Sequence, residues 1–225
     1  IIVCSLLGLC IERLAYRPLR KAPKLNLLIT AIGVSLLLQY SGQFIFGPDP
    51  KLFPPVIQDW VVLRVMDVDF HSIDLTIFAV GAMAMISLQY LVLKTKFGRA
   101  MRAVSHSPSL ASLMGIDIHR VISITFVIGS ALAGVGSVLV GLKYPKIDPL
   151  MGVMMGIKAF VAAVLGGIGS IPGAVLGGLL MGLCEEYVVA YLSSTYRDAL
   201  AFGVLILILV FKPNGLLGKH QADKV

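Results

Sequence analysis

The chain has 225 residues, 57% of them hydrophobic and 14% charged, with a formal net charge of +7 and a mean hydropathy of +0.91. Soluble domains carry about 25% charged residues, so this composition excludes an ordinary soluble domain and indicates a polytopic membrane protein. The basic residues sit in short loops between apolar runs, the pattern of cytoplasmic membrane loops; this excludes nucleic acid as a partner.

Residues 1–11 are apolar, lack a leading Met, and show neither the charged start nor the cleavage site of a signal peptide. They are expected to be the end of a span that starts upstream, in an N-terminally truncated fragment. Residues 12–24 follow with Arg13, Arg17, Arg20, Lys21 and Lys24 against Glu12, a cytoplasmic bias. Residues 25–46 are uncharged and exceed the roughly 20 residues a span requires. The segment 47–71 sets Lys51 and Arg64 against Asp49, Asp59, Asp67 and Asp69, and belongs outside. Pro48, Pro50, Pro54 and Pro55 make its start irregular, and Trp60 with its apolar neighbours suggests an interfacial or short strand-like piece. Residues 72–93 form the next span, with Asp74 near its outer end.

The loop 94–120 carries Lys94, Lys96, Arg99, Arg102 and Arg120 against Asp117, and is cytoplasmic. Inside it lies a miniature helix with its own signals: Ser107 to cap, Pro108 for the first helical position, Gly115 to end it in the left-handed conformation. Two turns, 108–114, are not stable alone in water, and Leu110, Leu113 and Met114 share a face that has to bury itself somewhere. Three readings fit: a helix resting on anionic lipid with Arg99 and Arg102 toward headgroups, a mere connector, or a docking helix for a cytoplasmic partner. The self-contained cap favours docking. The uncharged run 121–142 then returns the chain outside.

The tail has Lys212, Lys219 and Lys224 against Asp223, which favours the cytoplasm. An odd number of crossings must therefore follow residue 142, although only two apolar regions, 151–190 and 199–211, are visible. The stretch 166–178, GGIGSIPGAVLGG, resolves the parity by breaking the first region. Either both arms cross with a tight turn between them, or the first arm re-enters and returns. Irregular backbone at membrane depth costs several kcal/mol for each unpaired group and has to be packed in protein or line a wet path. Gly166, Gly167, Gly169, Ser170, Pro172 and Gly173 are therefore candidates for a pathway or gate; close packing through Gly173/Gly177 and Gly178/Gly182 is the competing reading. Ser130/Gly134 and Gly129/Ala133 read as packing.

Asn26, Gln39 and Gln43 are expected to bond between helices, Lys158 and Asp74 to snorkel, and Glu185 and Glu186 to be solvated. Cys4, Cys10 and Cys184 read as small buried hydrophobes. His106 and His119 lack metal spacing and read as solvated, and no nucleophile elbow occurs. The run from Gly215 to His220 is one residue short of a phosphate loop and lacks the Ser or Thr after Lys219, so no nucleotide site is expected.

Three stretches, FGRAMRAVSHSPSLASLMGIDIHRVISITFVIGSALAGVGSVL, KAFVAAVLGGIGSIPGAVLGGLLMG and KPNGLLGK, with AYRPLR and LITAIGVSLLLQ upstream, resemble the LivH-type permease of bacterial branched-chain amino acid ABC importers. The resemblance covers nearly the whole chain. It implies an all-α transmembrane bundle in the inner membrane, with the Gly-rich helix broken or re-entrant and with 94–120 as its cytoplasmic coupling loop. It also implies a second permease subunit, two ATP-binding cassette subunits that use ATP and Mg, and a periplasmic substrate-binding protein; the chain itself would bind no cofactor and catalyse nothing. The coupling positions it implies are Arg99, Arg102, Ser109, Leu110, Ala111, Ser112, Leu113, Met114 and Gly115. Members commonly carry acidic residues where this chain has His106-Ser107-Pro108, which puts one acidic contact to the ATPase in doubt. A related urea or short-amide permease, or an ATP-independent channel, is the alternative.

Overall fold

The computed structural model describes residues 1–20, 22–54, 60–65, 68–191, 193–212 and 215–218. Lys21, Asp59, Asp67, Lys219, Asp223 and Lys224, counted above for topology, lie outside the described residues. The described chain is mostly helical: α1 (Ile2–Ile11), α2 (Lys24–Phe46), α3 (Ser72–Lys94), α4 (Lys96–His106), α5 (Pro108–Leu113), α6 (Ile118–Lys143), α7 (Met151–Gly166), α8 (Ile171–Tyr191) and α9 (Arg197–Phe211). Four short strands accompany them: β1 (Lys51–Leu52), β2 (Val61–Val65), β3 (Val68–His71) and β4 (Lys146–Ile147). Helices α2, α3, α6 and α8 are long and apolar enough to cross a membrane. The all-α, polytopic class is borne out. Two compact units divide the chain, Ile1–Pro149 and Leu150–Val225.

In the first unit α1 lies along one stripe of α6. Gly8 faces Ser130, Cys4 packs where a Cβ on Gly134 would stand 3.2 Å from its Sγ, and the rings of Tyr16 and Phe126 meet with centroids 5.1 Å apart. Positions 123, 126, 130 and 134 fall on one helical face, so one row of side chains serves the whole seam. Lipid offers no hydrophobic drive for helix pairing, and small residues let dispersion supply it. Ser130 and Gly134 thus pack as expected, whereas Gly129 has open space at its Cβ position. After α1 the helix continues through a π-helical turn, Glu12–Tyr16.

The outer segment does contain strands. β2 and β3 form an antiparallel hairpin, and β1 pairs antiparallel with β4, reinforced by the Phe53 N–H donating to the Pro145 carbonyl at 2.6 Å. Lys143 at the end of α6 bonds Asp74 in the first turn of α3. The exit of α2, the entry of α3 and the exit of α6 therefore share one end, as the charge alternation along the chain requires. Two expectations need correction here. Asp74 is held by an ion pair and does not merely snorkel, and Gln39 Nε2 donates to Ser35 Oγ at 3.0 Å within α2 instead of to another helix. An acceptor one turn away is already in reach. Cys10 and Cys184 are exposed, not buried, and only Cys4 is partly covered.

In the second unit α7 and α8 run antiparallel as a hairpin, with α9 packed on both. Val161 and Met181 are buried in its centre. Cβ atoms on Gly166, Gly173 and Gly177 would collide with the facing backbone at Gly173, Gly166 and Ala162 respectively. The break is narrower than 166–178: α7 reaches Gly166 and α8 starts at Ile171, so Pro172 and Gly173 belong to the first turn of α8. Proline is tolerated there because the first N–H groups of a helix have no intrahelical partner.

Candidate functional site

The basic loop is a three-helix unit. Thr95 caps α4: its Oγ1 accepts the Gly98 N–H at 3.0 Å and donates to the Leu91 carbonyl at 2.5 Å. Gly98 is buried where a Cβ would strike the carbonyl of Val92, so α4 folds back tightly on the end of α3. Arg102 Nη1 donates to that same Val92 carbonyl, one of the last four of α3 and without a helical partner. Arg99 is exposed. The sequence offers a helix through Arg99 and Arg102 as one of three readings of this loop and gives it no bounds; the structure places it at Lys96–His106. The signal was present in Phe97, Ala100, Met101 and Val104, spaced for one face, but the basic residues between them read as loop.

Ser107 caps α5 by accepting the Leu110 N–H at 3.4 Å, with Pro108 in the first turn. Gly115, at φ +78°, ends it. There the Ile116 N–H reaches the Ala111 carbonyl at 3.0 Å and the Gly115 N–H that of Ser112 at 3.0 Å, the paired bonds of a Schellman end. Ser109 and Ser112 lie on the exposed side, where Ser112 Oγ donates to the Ser109 carbonyl at 2.7 Å. Ser107→Ala should cost about 1 kcal/mol of local stability, read as faster amide exchange in α5 with α6 unchanged.

The face that α5 buries is not the one its apolar residues suggest. Ala111 is 3% exposed and packs with Val104 and Val121, whereas Leu110, Leu113 and Met114 are 63%, 82% and 82% exposed. A small residue lets α5 sit close on α4 and α6, and the large side chains then point outward. Leu110, Leu113 and Met114, the face expected to need something to dock on, are thus left uncovered by the described residues of this chain.

Asp117 caps α6, its Oδ1 accepting the Arg120 N–H at 3.2 Å. This backbone bond, with smaller help from the His119 N–H and the positive charge of Arg120, holds its carboxyl below the ordinary value of about 3.9. A lowered folded-state pKa means that the cap contributes fully above the unfolded value. The contribution is lost only as pH falls through the lower, folded one. Amide exchange at Arg120, corrected for its intrinsic pH dependence, should stay constant from pH 8 to pH 5 and accelerate throughout in Asp117→Ala.

At the glycine break, Gly167 (φ +102°) and Gly169 (φ +94°) adopt a backbone that other residues rarely take, and they turn the chain between α7 and α8. Ser170 Oγ accepts the Gly173 N–H at 3.2 Å, capping α8. Pro172 is exposed in the first turn, while Gly166, Gly167 and Gly173 are buried. The chain after α9 returns to this turn: the Leu216 N–H donates to the Leu165 carbonyl at 2.8 Å and the Leu217 N–H to that of Gly166 at 3.0 Å. Those carbonyls are among the partnerless last four of α7. The stretch that resembled a shortened phosphate loop is therefore a strap on α7, with two of its N–H groups engaged; Lys219 and His220 lie outside the described residues. The strap also puts the α7–α8 turn at the end of the unit that α9 runs to.

Two ion networks escaped the sequence reading. Glu185, 12% exposed, pairs with Lys158 at 3.1 Å and with Arg197 at 3.5 Å, while Glu186 bonds Arg197. Glu185 is therefore not solvated as expected, and Lys158, expected to snorkel, is paired with it. Glu12 is fully buried, bonded to Arg20 and accepting the Ser123 hydroxyl at 2.6 Å, and Arg20 donates to His119 Nδ1. His119 is thus engaged as well as exposed. A lone acid in a basic loop gives no hint that it turns inward. Among the described residues no three His, Cys, Asp or Glu side chains assemble as a metal site would require.

Residues 1–209 match the family described as the permease component of branched-chain amino acid transport systems. The chain is 43% identical to a high-affinity branched-chain amino acid transport permease, LivH, of Escherichia coli (strain K12), over 100% of this chain and 74% of that protein. The same values hold for the corresponding BraD protein of Pseudomonas aeruginosa. A probable branched-chain amino acid permease of Methanocaldococcus jannaschii is 30% identical over 96% of this chain and 72% of its own length. No solved structure matches significantly.

Proposed function

This chain belongs to the permease family of branched-chain amino acid transport systems, and from that premise we propose that it is the membrane subunit of an ATP-driven importer of branched-chain amino acids. It works in the bacterial inner membrane, beside a second permease subunit and beneath a periplasmic binding protein that delivers the substrate. Two ATP-binding cassette subunits on the cytoplasmic side hold ATP and Mg, and this chain holds neither. The observation that carries the reading is α5: a capped two-turn helix, seated by Ala111 and presenting Leu110, Leu113 and Met114 outward.

A short helix seated this way moves as one body with α4 and the start of α6. Closure of the ATPases then displaces that body, and the helices beside the Gly167–Ser170 turn change the side to which they open. Docking shifts the equilibrium only if the ATPases contact α5 differently in their two states. Arg99 and Arg102 differ in this scheme: Arg99 is exposed and available to the partner, whereas Arg102 is committed to Val92 and fixes α4.

The test is reconstitution of the complete complex in vesicles with labelled leucine. Uptake that requires ATP and the cassette subunits supports the reading. Leucine flux without them makes the chain a channel, and urea or amide uptake in place of leucine makes it the related permease.

A further inference from the structure

Along the seam between α1 and α6 the contacts are apolar or small until Glu12, where a carboxylate is fully buried. A buried carboxylate is strongly disfavoured unless it is paired and hydrogen-bonded. Here both oxygens are engaged: one faces Arg20, and the other accepts Ser123 Oγ at 2.6 Å. Arg20 reaches on to His119, one turn before Ser123 on the same face of α6. The π-helical turn Glu12–Tyr16 lies where Glu12 must face α6 while the chain leaves α1, and such turns often mark functional positions. The end of α6 pinned in this way is the end that carries α5, through Asp117 and the Val104–Ala111–Val121 cluster.

We propose that Glu12 is a positioning residue for energy coupling: it locks the docking end of α6 to α1, so that displacement of α5 is delivered to the α1–α6 pair instead of being absorbed by bending at the start of α6. The inference rests on the coupling role of α5 proposed above. Without Glu12, α5 would still dock and the ATPases would still cycle, but the motion would dissipate between His119 and Ser123. The signature is a change in stoichiometry, which a merely structural defect would not produce in an assembled complex.

The experiment compares wild type, Glu12→Gln and Ser123→Ala as complete reconstituted complexes. Leucine uptake and ATP hydrolysis are measured on the same vesicles and normalised to assembled complex. Glu12→Gln should keep at least half of the hydrolysis while uptake per ATP falls about tenfold. Ser123→Ala, which removes one hydrogen bond and leaves the ion pair, should lower the same ratio by a smaller factor. An unchanged ratio in Glu12→Gln overturns the proposal. If that variant fails to assemble, Ser123→Ala decides: a wild-type ratio overturns the proposal and a lowered one supports it. Absence of ATP-dependent uptake in the wild type would instead overturn the function proposed above.

Discussion

Leu110→Asp should leave the protein inserted and folded but abolish coupled uptake. Leu110 is mostly exposed in this chain, and substitution at an exposed position usually changes stability by less than about 0.5 kcal/mol. In the complex the same side chain would be an apolar anchor in a partner groove, where truncation typically costs about 2 kcal/mol or more, roughly 30-fold in affinity. An ionised carboxylate entering that groove is worse than truncation, because it must be desolvated without a partner. The cassette subunits should therefore no longer co-purify, and leucine uptake should fall to background. Ala111→Asp, one residue along, should do the opposite: it places a charge between Val104 and Val121 and should reduce folded protein before any docking is tested. Normal uptake by Leu110→Asp would remove the docking role from α5.

Gly173→Leu should prevent the second unit from forming. A Cβ at Gly173 lands on the carbonyl of Gly166, and one at Gly166 lands on that of Gly173. Backbone meets backbone there, so no rotamer change relieves the clash. Overpacking of side chains costs about 1–3 kcal/mol, and this site belongs at the upper end or beyond. Parting the hairpin would also strip the strap formed by Leu216 and Leu217 from α7. Gly169 is the control. Its φ is +94°, yet nothing lies within 4 Å of its Cβ position, so Gly169→Leu bears backbone strain of about 1–2 kcal/mol without a clash. Retention on a size-exclusion column after detergent extraction separates the two variants. If Gly169→Leu assembles and loses uptake, the turn serves the transport path. Full uptake by that variant would leave Gly166, Gly167, Gly173 and the turn with packing as their role.

The readings that held rest on properties each segment carries by itself. Span length, loop charge, the Ser107 cap, Pro108 and Gly115 are local: a helix end needs an acceptor or a positive φ whatever packs nearby. The strand-like outer segment was legible for the same reason, from its prolines and its apolar run. The family resemblance, carried by long ordered stretches, was legible too. Helix α4 was partly legible; its apolar spacing is plain, but cationic side chains masked it.

What only the tertiary structure decided was direction. Three large apolar residues on α5 read as a face in need of cover, and only the structure shows that Ala111 seats the helix on α4 and α6 while those three stay outward, because the distance between packed helices favours the small residue. The glycines of 166–178 divided into two kinds: Gly167 and Gly169 shape a turn, while Gly166, Gly173 and Gly177 admit a neighbouring backbone. Composition cannot separate them, since both demands are met by the missing Cβ. Glu12, Glu185 and Lys158 read as solvated or boundary groups and are instead paired within the protein. The partners of Glu12 and Glu185 include residues 111 and 27 positions away in sequence. A charge's burial depends on whether the fold brings its counter-charge to it, and no local pattern records that.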